Sequence, residues 1–192
     1  MELETVELFI DEEKLRDGVE AISLVEFPAI EENFVALSQH KVEFKTLDED
    51  KRVVVGLALV PDKKILRKRE RGLYNIVFSK ETVRLASELY LKRLKNNNAT
   101  LEHEVPVDGV SVIESWIVED ASMDKSNLYG LNAVEGAWVV KMKIDNNQTW
   151  KEVKEGKYLG FSIEAFFSDR EEEFSKDEQI LEEVKSILNN LK

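Results

Sequence analysis

The chain has 192 residues, 43% of them hydrophobic, with 39 acidic against 27 basic side chains, a formal net charge of -12 and no cysteine. An apolar fraction of that size supports a buried core and one domain with appendages, and excludes disorder throughout. The charge excludes wrapping of nucleic acid, which needs clustered Lys and Arg, and the lack of cysteine removes disulfides and thiolate metal sites and fits a reducing compartment.

No run of about 18 apolar residues is present to span a bilayer. The opening, MELETVELFIDEEK, lacks the basic start and apolar stretch of a secretory signal. A soluble protein made in the cytoplasm, with no membrane or nucleic-acid partner, is expected.

In chain order, the alternation from Thr5 to Ile10 predicts a strand. GVEAISLVEFPAIEENFVAL follows, an extended pattern interrupted at Pro28, and reads as a strand and an ordered arm. KRVVVGLALV, Lys51 to Val60, is a buried strand closed by Pro61-Asp62. The basic run from Lys63 to Arg71 reads as a solvated loop, with phosphate or acidic protein as the functional alternative. GLYNIVF, Gly72 to Phe78, is a strand.

Ser79 is placed to cap a helix, because its hydroxyl can accept from the unpaired amides of the first turn. Val83, Ala86, Leu89, Tyr90 and Leu94 share one helical face, and three asparagines end the run at Asn98. Strands are predicted over Ala99–Val105 and Val110–Val118, joined by a hairpin at Pro106-Val107-Asp108-Gly109. The polar stretch Glu119–Glu135 reads as a mobile loop, Ala137–Ile144 as a strand, Asn147–Gly156 as a short helix and Leu159–Phe167 as the last strand. Beyond Arg170 the composition becomes charged, and Leu181, Val184, Leu188 and Leu191 form the seam of an amphipathic helix. Residues 1–168 therefore read as one domain and 169–192 as a C-terminal helix, which packs on its own domain or joins a partner helix.

Two histidines restrict the catalytic options. His103 ends an apolar run, and Ser162 lies in another, just after Gly160, whose missing side chain permits a close backbone approach. A serine nucleophile needs an imidazole nearby. In a four-residue hairpin loop, His103 lies across from Val112 with Glu114 diagonal to it on the same face, making Glu114 the first choice to orient the imidazole. Glu164 shares a face of the last strand with Ser162 and is the second choice; a dyad without a third group is the remaining option. His40, in LSQHK, has no strand context. No spacing of ligands suggests a metal, no Gly-rich loop suggests a nucleotide, and no cofactor is expected.

Several ordered segments resemble one family: EAISLVEFPA with IEENFVAL, the strand ending LEHE, VDGVSVIESWIVED, GAWVVKMKID, the helix with Trp150, and KEGKYLGFSIEAFF. They are similar to the tailed-phage prohead (capsid) maturation serine proteases, more narrowly the phage serine protease group first named from a defective Bacillus prophage. The resemblance covers roughly residues 18 to 168. This family is distantly related to the herpesvirus assemblins. The resemblance implies an α+β fold, a mostly antiparallel β-barrel-like core with flanking helices, plus the C-terminal amphipathic helix. It also implies catalysis by Ser162 and His103, with no unambiguous counterpart for the third member. The expected function is a serine endopeptidase that cleaves scaffold and capsid-protein extensions, and itself, in the prohead interior after synthesis in the host cytoplasm. Its expected partners are phage scaffold and major capsid proteins, with self-association through the C-terminal helix. The alternative is an inactive structural or scaffold-associated assembly protein that keeps the fold without cutting.

Overall fold

The computed structural model describes residues 3–27, 35–36, 51–69 and 72–169. Twelve strands and two α-helices are present among them. The strands are β1 (Thr5–Phe9), β2 (Gly18–Val25), β3 (Val35–Ala36), β4 (Val53–Leu59), β5 (Ile65–Arg69), β6 (Gly72–Phe78), β7 (Ala99–Leu101), β8 (Val105–Pro106), β9 (Val110–Ile117), β10 (Trp138–Ile144), β11 (Gly160–Phe166) and β12 (Ser168–Asp169). The helices are α1 (Lys80–Lys92), between β6 and β7, and α2 (Asn147–Lys154), between β10 and β11. The predicted C-terminal helix from Arg170 onward, His40 and Pro28 lie outside the described residues.

The fold is mixed α+β and dominated by sheets. Among the described residues the strands form three four-stranded sheets, in the orders β12-β1-β6-β5, β3-β4-β10-β9 and β11-β2-β7-β8, rather than one closed barrel. Pairing is antiparallel except between β1 and β6 and between β2 and β7. The core takes the apolar faces of these strands together with Val83, Ala86 and Tyr90 of α1. Tyr90 meets Trp138 edge-on, with ring centroids 5.4 Å apart, a favoured geometry for aromatic rings. Ser79 caps α1 by accepting from the Thr82 amide at 3.3 Å. Leu94, expected on the buried face, lies beyond the helix in a left-handed conformation and is 79% exposed.

Four departures from the sequence reading bear on the site. β2, read as a strand leading into an ordered arm, is a strand but an inner one, pairing with β11 on one side and β7 on the other. The basic run is a strand, because Ile65 is buried and the segment pairs with β6 over Ile65–Arg69. The expected hairpin from Ala99 to Val118 does not form as drawn. The chain reverses earlier, at Glu102–Glu104, and β7 pairs with β8, whereas β9 crosses to another sheet to pair with β10. Gly109, at φ +73°, makes that crossing, and its carbonyl accepts the amides of Asp145 and Asn146 at 2.7 and 3.2 Å. Finally, the stretch expected to be a mobile loop contains a 3-10 turn at Lys125–Tyr129, capped by Asp124, with Ser126 fully buried.

Candidate active site

Three strands of one sheet assemble the candidate residues. β11 and β2 are in register with Ser162 opposite Ser23, and β2 and β7 with Ser23 beside Thr100. Directly opposed residues share a face, so the three hydroxyl side chains form a row across the sheet. Glu164 stands two residues along β11 from Ser162, on that same face.

His103 reaches this row through the tight turn after β7. Glu102 and His103 both have positive φ, +52° and +61°, a region that costs an L-residue roughly 1–2 kcal/mol. Two side-chain bonds to β2 hold the turn there. The His103 amide donates to Ser23 Oγ at 3.0 Å, and the Glu26 amide donates to Glu102 Oε1 at 2.7 Å. Ser23, fully buried, in turn donates to the Thr100 carbonyl at 3.3 Å.

The imidazole is thereby brought against Glu164, with Nδ1 3.4 Å from Oε1. The same carboxylate oxygen accepts from the Thr100 hydroxyl. Thr100 thus fixes the carboxylate, Glu164 faces one ring nitrogen, and the other nitrogen is left for chemistry. Side-chain exposure is 41% for His103 and 32% for Glu164, while Ser162 is 9% exposed. A cavity of about 200 Å³ between β11, the end of β4 and the sheet of β5 and β6 borders Ser162 from the other side of the strand, the face that carries Phe161, Ile163 and Ala165.

Glu114, the first-choice orienter, is in different company. A bulge at Ile113 puts Val112 opposite Met142 and Glu114 opposite Lys141, neighbours on β10, so Val112 and Glu114 point to opposite faces. Glu114 accepts from Lys125 and pairs with Lys141 at 2.5 Å. Burial acts to raise its pKa, but the two ammonium groups outweigh burial and hold the carboxyl below its usual value. Around it Lys125 lies 3.9 Å from the centre of the Trp116 ring, whose indole N–H donates to both oxygens of Asp124 at 3.2 Å. This network pins the 3-10 turn onto the sheet.

Sequence reasoning missed Ser23 and Thr100. Ser23 carried a usable signal, a hydroxyl within the apolar run GVEAISLV, since a buried polar group needs a partner. Thr100 carried none, because its role depends on the parallel pairing of β2 and β7. Among the described residues no group of three or more His, Asp or Glu side chains is arranged to hold a metal ion.

No curated protein and no solved structure matches the chain. A family model does match, over residues 41–183, spanning His103, Ser162 and Glu164. By that match the chain belongs to the family described as "Putative phage serine protease XkdF".

Proposed function

We propose that the chain is a serine endopeptidase of phage capsid maturation, acting inside the prohead on scaffold, on extensions of the major capsid protein and on itself. The observation that carries the reading is the contact of His103, from the turn after β7, with Glu164 at 3.4 Å, Glu164 lying on the strand and face that bear Ser162. Family membership supports the serine protease class.

In the proposed mechanism Ser162 Oγ attacks the scissile carbonyl carbon as its proton passes to His103 Nε2. Glu164, facing Nδ1, holds the tautomer with Nε2 free and stabilises the imidazolium that forms. The C–N bond then breaks as Nε2 returns the proton to the leaving amine, giving an acyl-serine and a free amino terminus. Water attacks the acyl-serine with His103 again as base, releasing the carboxyl product and Ser162. Backbone amides would stabilise the negative oxygen of each tetrahedral intermediate. The tail from Arg170 onward, charged with an apolar seam, is the proposed handle for helical scaffold or a second copy.

The test is co-expression with the cognate capsid and scaffold proteins, followed by mass spectrometry of the assembling particles. Defined cleavage products with the wild type, lost in Ser162→Ala, are expected. No cutting by the wild type, or equal cutting by the variant, would refute the assignment and favour an assembly role without chemistry.

A further inference from the structure

The mechanism draws on one sheet, and the sheet β12-β1-β6-β5 has no part in it. The inner face of that second sheet, with Val6, Leu8, Ile65, Ile76 and Phe78, packs into the core. Alternation and register put Leu66 and Lys68 of β5, Leu73 and Val77 of β6 and Phe9 of β1 on the other face. Leu66 is 53% and Leu73 51% exposed, and they are diagonal neighbours, with Lys68 directly opposite Leu73. Leu3, just ahead of β1 at the same end of the sheet, is 40% exposed.

The point at which the chain leaves the described residues decides what can cover this face. β12 pairs antiparallel with β1, Ser168 opposite Phe9 and Asp169 opposite Leu8. The chain therefore leaves heading along β1 towards Thr5, the end at which Leu3, Leu73 and Lys68 stand. Residues 170–174, extended at about 3.3 Å each, reach that end. They include Glu171, Glu172 and Glu173, which suit Lys68 and the basic strand β5 around it. Ser175 then precedes Glu178 by three residues, the pattern that opens a helix, since each side chain can accept from the other's unpaired amide.

The apolar side chains that follow fit a sheet better than a second helix. At about 100° per residue, Ile180, Leu181, Val184, Ile187, Leu188 and Leu191 fall within an arc of roughly 120°. A two-stranded coiled coil uses a narrower seam. From Leu181 to Leu191 a helix rises about 15 Å, and four strands spaced about 4.8 Å apart are about 14 Å across. We infer that residues 170–192 dock in cis on the outer face of β12-β1-β6-β5, with the apolar arc on Leu66, Leu73 and Val77 and the leading glutamates beside Lys68. The docking does not rest on Ser162 being a nucleophile. A tail so docked cannot at the same time give those side chains to scaffold or to a second copy, so binding a partner has to lift it from the sheet.

The chain lacks cysteine, so one introduced thiol is a unique labelling site. Ser186→Cys, on the side of the helix away from the apolar arc, carries a nitroxide on the full chain, and the methyl signals of Leu66, Leu73 and Val77 are read by NMR. Those signals are expected to be lost by broadening and to return when the nitroxide is reduced, while those of Val110 and Val112 on β9 change little. Leu66→Asp, at an exposed position, and Leu181→Asp with Leu188→Asp in the tail are each expected to restore the Leu73 signal with the nitroxide still active. A mixture of nitroxide-bearing chain with isotope-labelled chain that has no nitroxide tests for a second copy. Broadening at Leu66 and Leu73 only in that mixture would overturn docking in cis. Broadening centred on another surface, or a Leu73 signal undiminished in the labelled chain, would overturn the site itself. Cleavage plays no part in the readout, so the docking stands or falls apart from the protease assignment.

Discussion

Ser23→Ala tests whether the turn carrying His103 is held by β2. Two left-handed residues, Glu102 and His103, store about 2–4 kcal/mol at roughly 1–2 kcal/mol each. Against this stand the bond from the His103 amide to Ser23, about 0.5–1.5 kcal/mol, and the charge-assisted bond from the Glu26 amide to Glu102, about 1.5–3 kcal/mol and near its lower end because the site is exposed. The two sides nearly cancel, so removing the hydroxyl leaves the turn short by the lost bond, about 0.5–1.5 kcal/mol. That shifts it towards open forms roughly 2- to 13-fold. Hydrogen exchange read residue by residue is expected to show the His103 amide exchanging faster by that factor, with β11 unaffected. Peptide cleavage falls in parallel, because an open turn takes the imidazole from Glu164. Melting drops by about 2–4 °C for each kcal/mol that is shared with global unfolding. Unchanged exchange at His103, or an equal rise across the whole sheet, would refute the clamp.

Glu164→Ala is expected to slow cleavage by about 10²-fold or more while Glu114→Gln leaves the rate intact and lowers the melting temperature, a contrast read by peptide turnover beside thermal unfolding. For Asp124, as for Glu114, burial raises the pKa, but bonds from Ser126 and Trp116 and the charge of Lys125 outweigh it and the net value is lowered. The stability from both carboxylates is therefore full above the ordinary carboxylate values near pH 4 and is lost as pH falls through the lowered folded ones. A fluorine resonance on Trp116 should then move before the core unfolds, whereas a shift coincident with global unfolding would count against the network. Tyr90→Phe is expected to raise stability by up to about 1 kcal/mol in urea melts, because the hydroxyl is buried without a partner among the described residues and the ring keeps its packing on Trp138. Gly109→Ala is expected to cost about 1–2 kcal/mol or more, since it adds a methyl group 3.3 Å from the Asn146 backbone nitrogen at φ +73°.

Much of the fold was legible where local chemistry decides. The capping serine and apolar face of α1, the β-branched run of β4 and the alternation of β1 each carry their structure within a few residues. The basic strand was not legible, because β5 is amphipathic only relative to β6, and a charged edge reads locally as loop. The stretch 119–135 failed for a related reason. Its anchors, Trp116, Glu114 and Lys141, lie on the strands flanking it in sequence, so the polar composition that suggested mobility is a set of partners for groups outside the stretch.

The choice between Glu114 and Glu164 shows where period-2 reasoning stops. Alternation correctly put Ser162 and Glu164 on one face, because β11 runs regularly between them. It failed for Glu114 through one bulge at Ile113, which inverts every side chain beyond it. The clue was present: Ile113 and Glu114 follow Val112 in VSVIES, and with strict alternation past Val112 the carboxylate of Glu114 would be buried and Ile113 exposed. Ile113 is exposed in either register, at 56%, and what the bulge changes is Glu114, which it turns towards two lysines. The shift therefore spares an unpaired carboxylate from burial without exposing a further isoleucine, and it follows from the same apolar setting that made Glu114 attractive as an orienter.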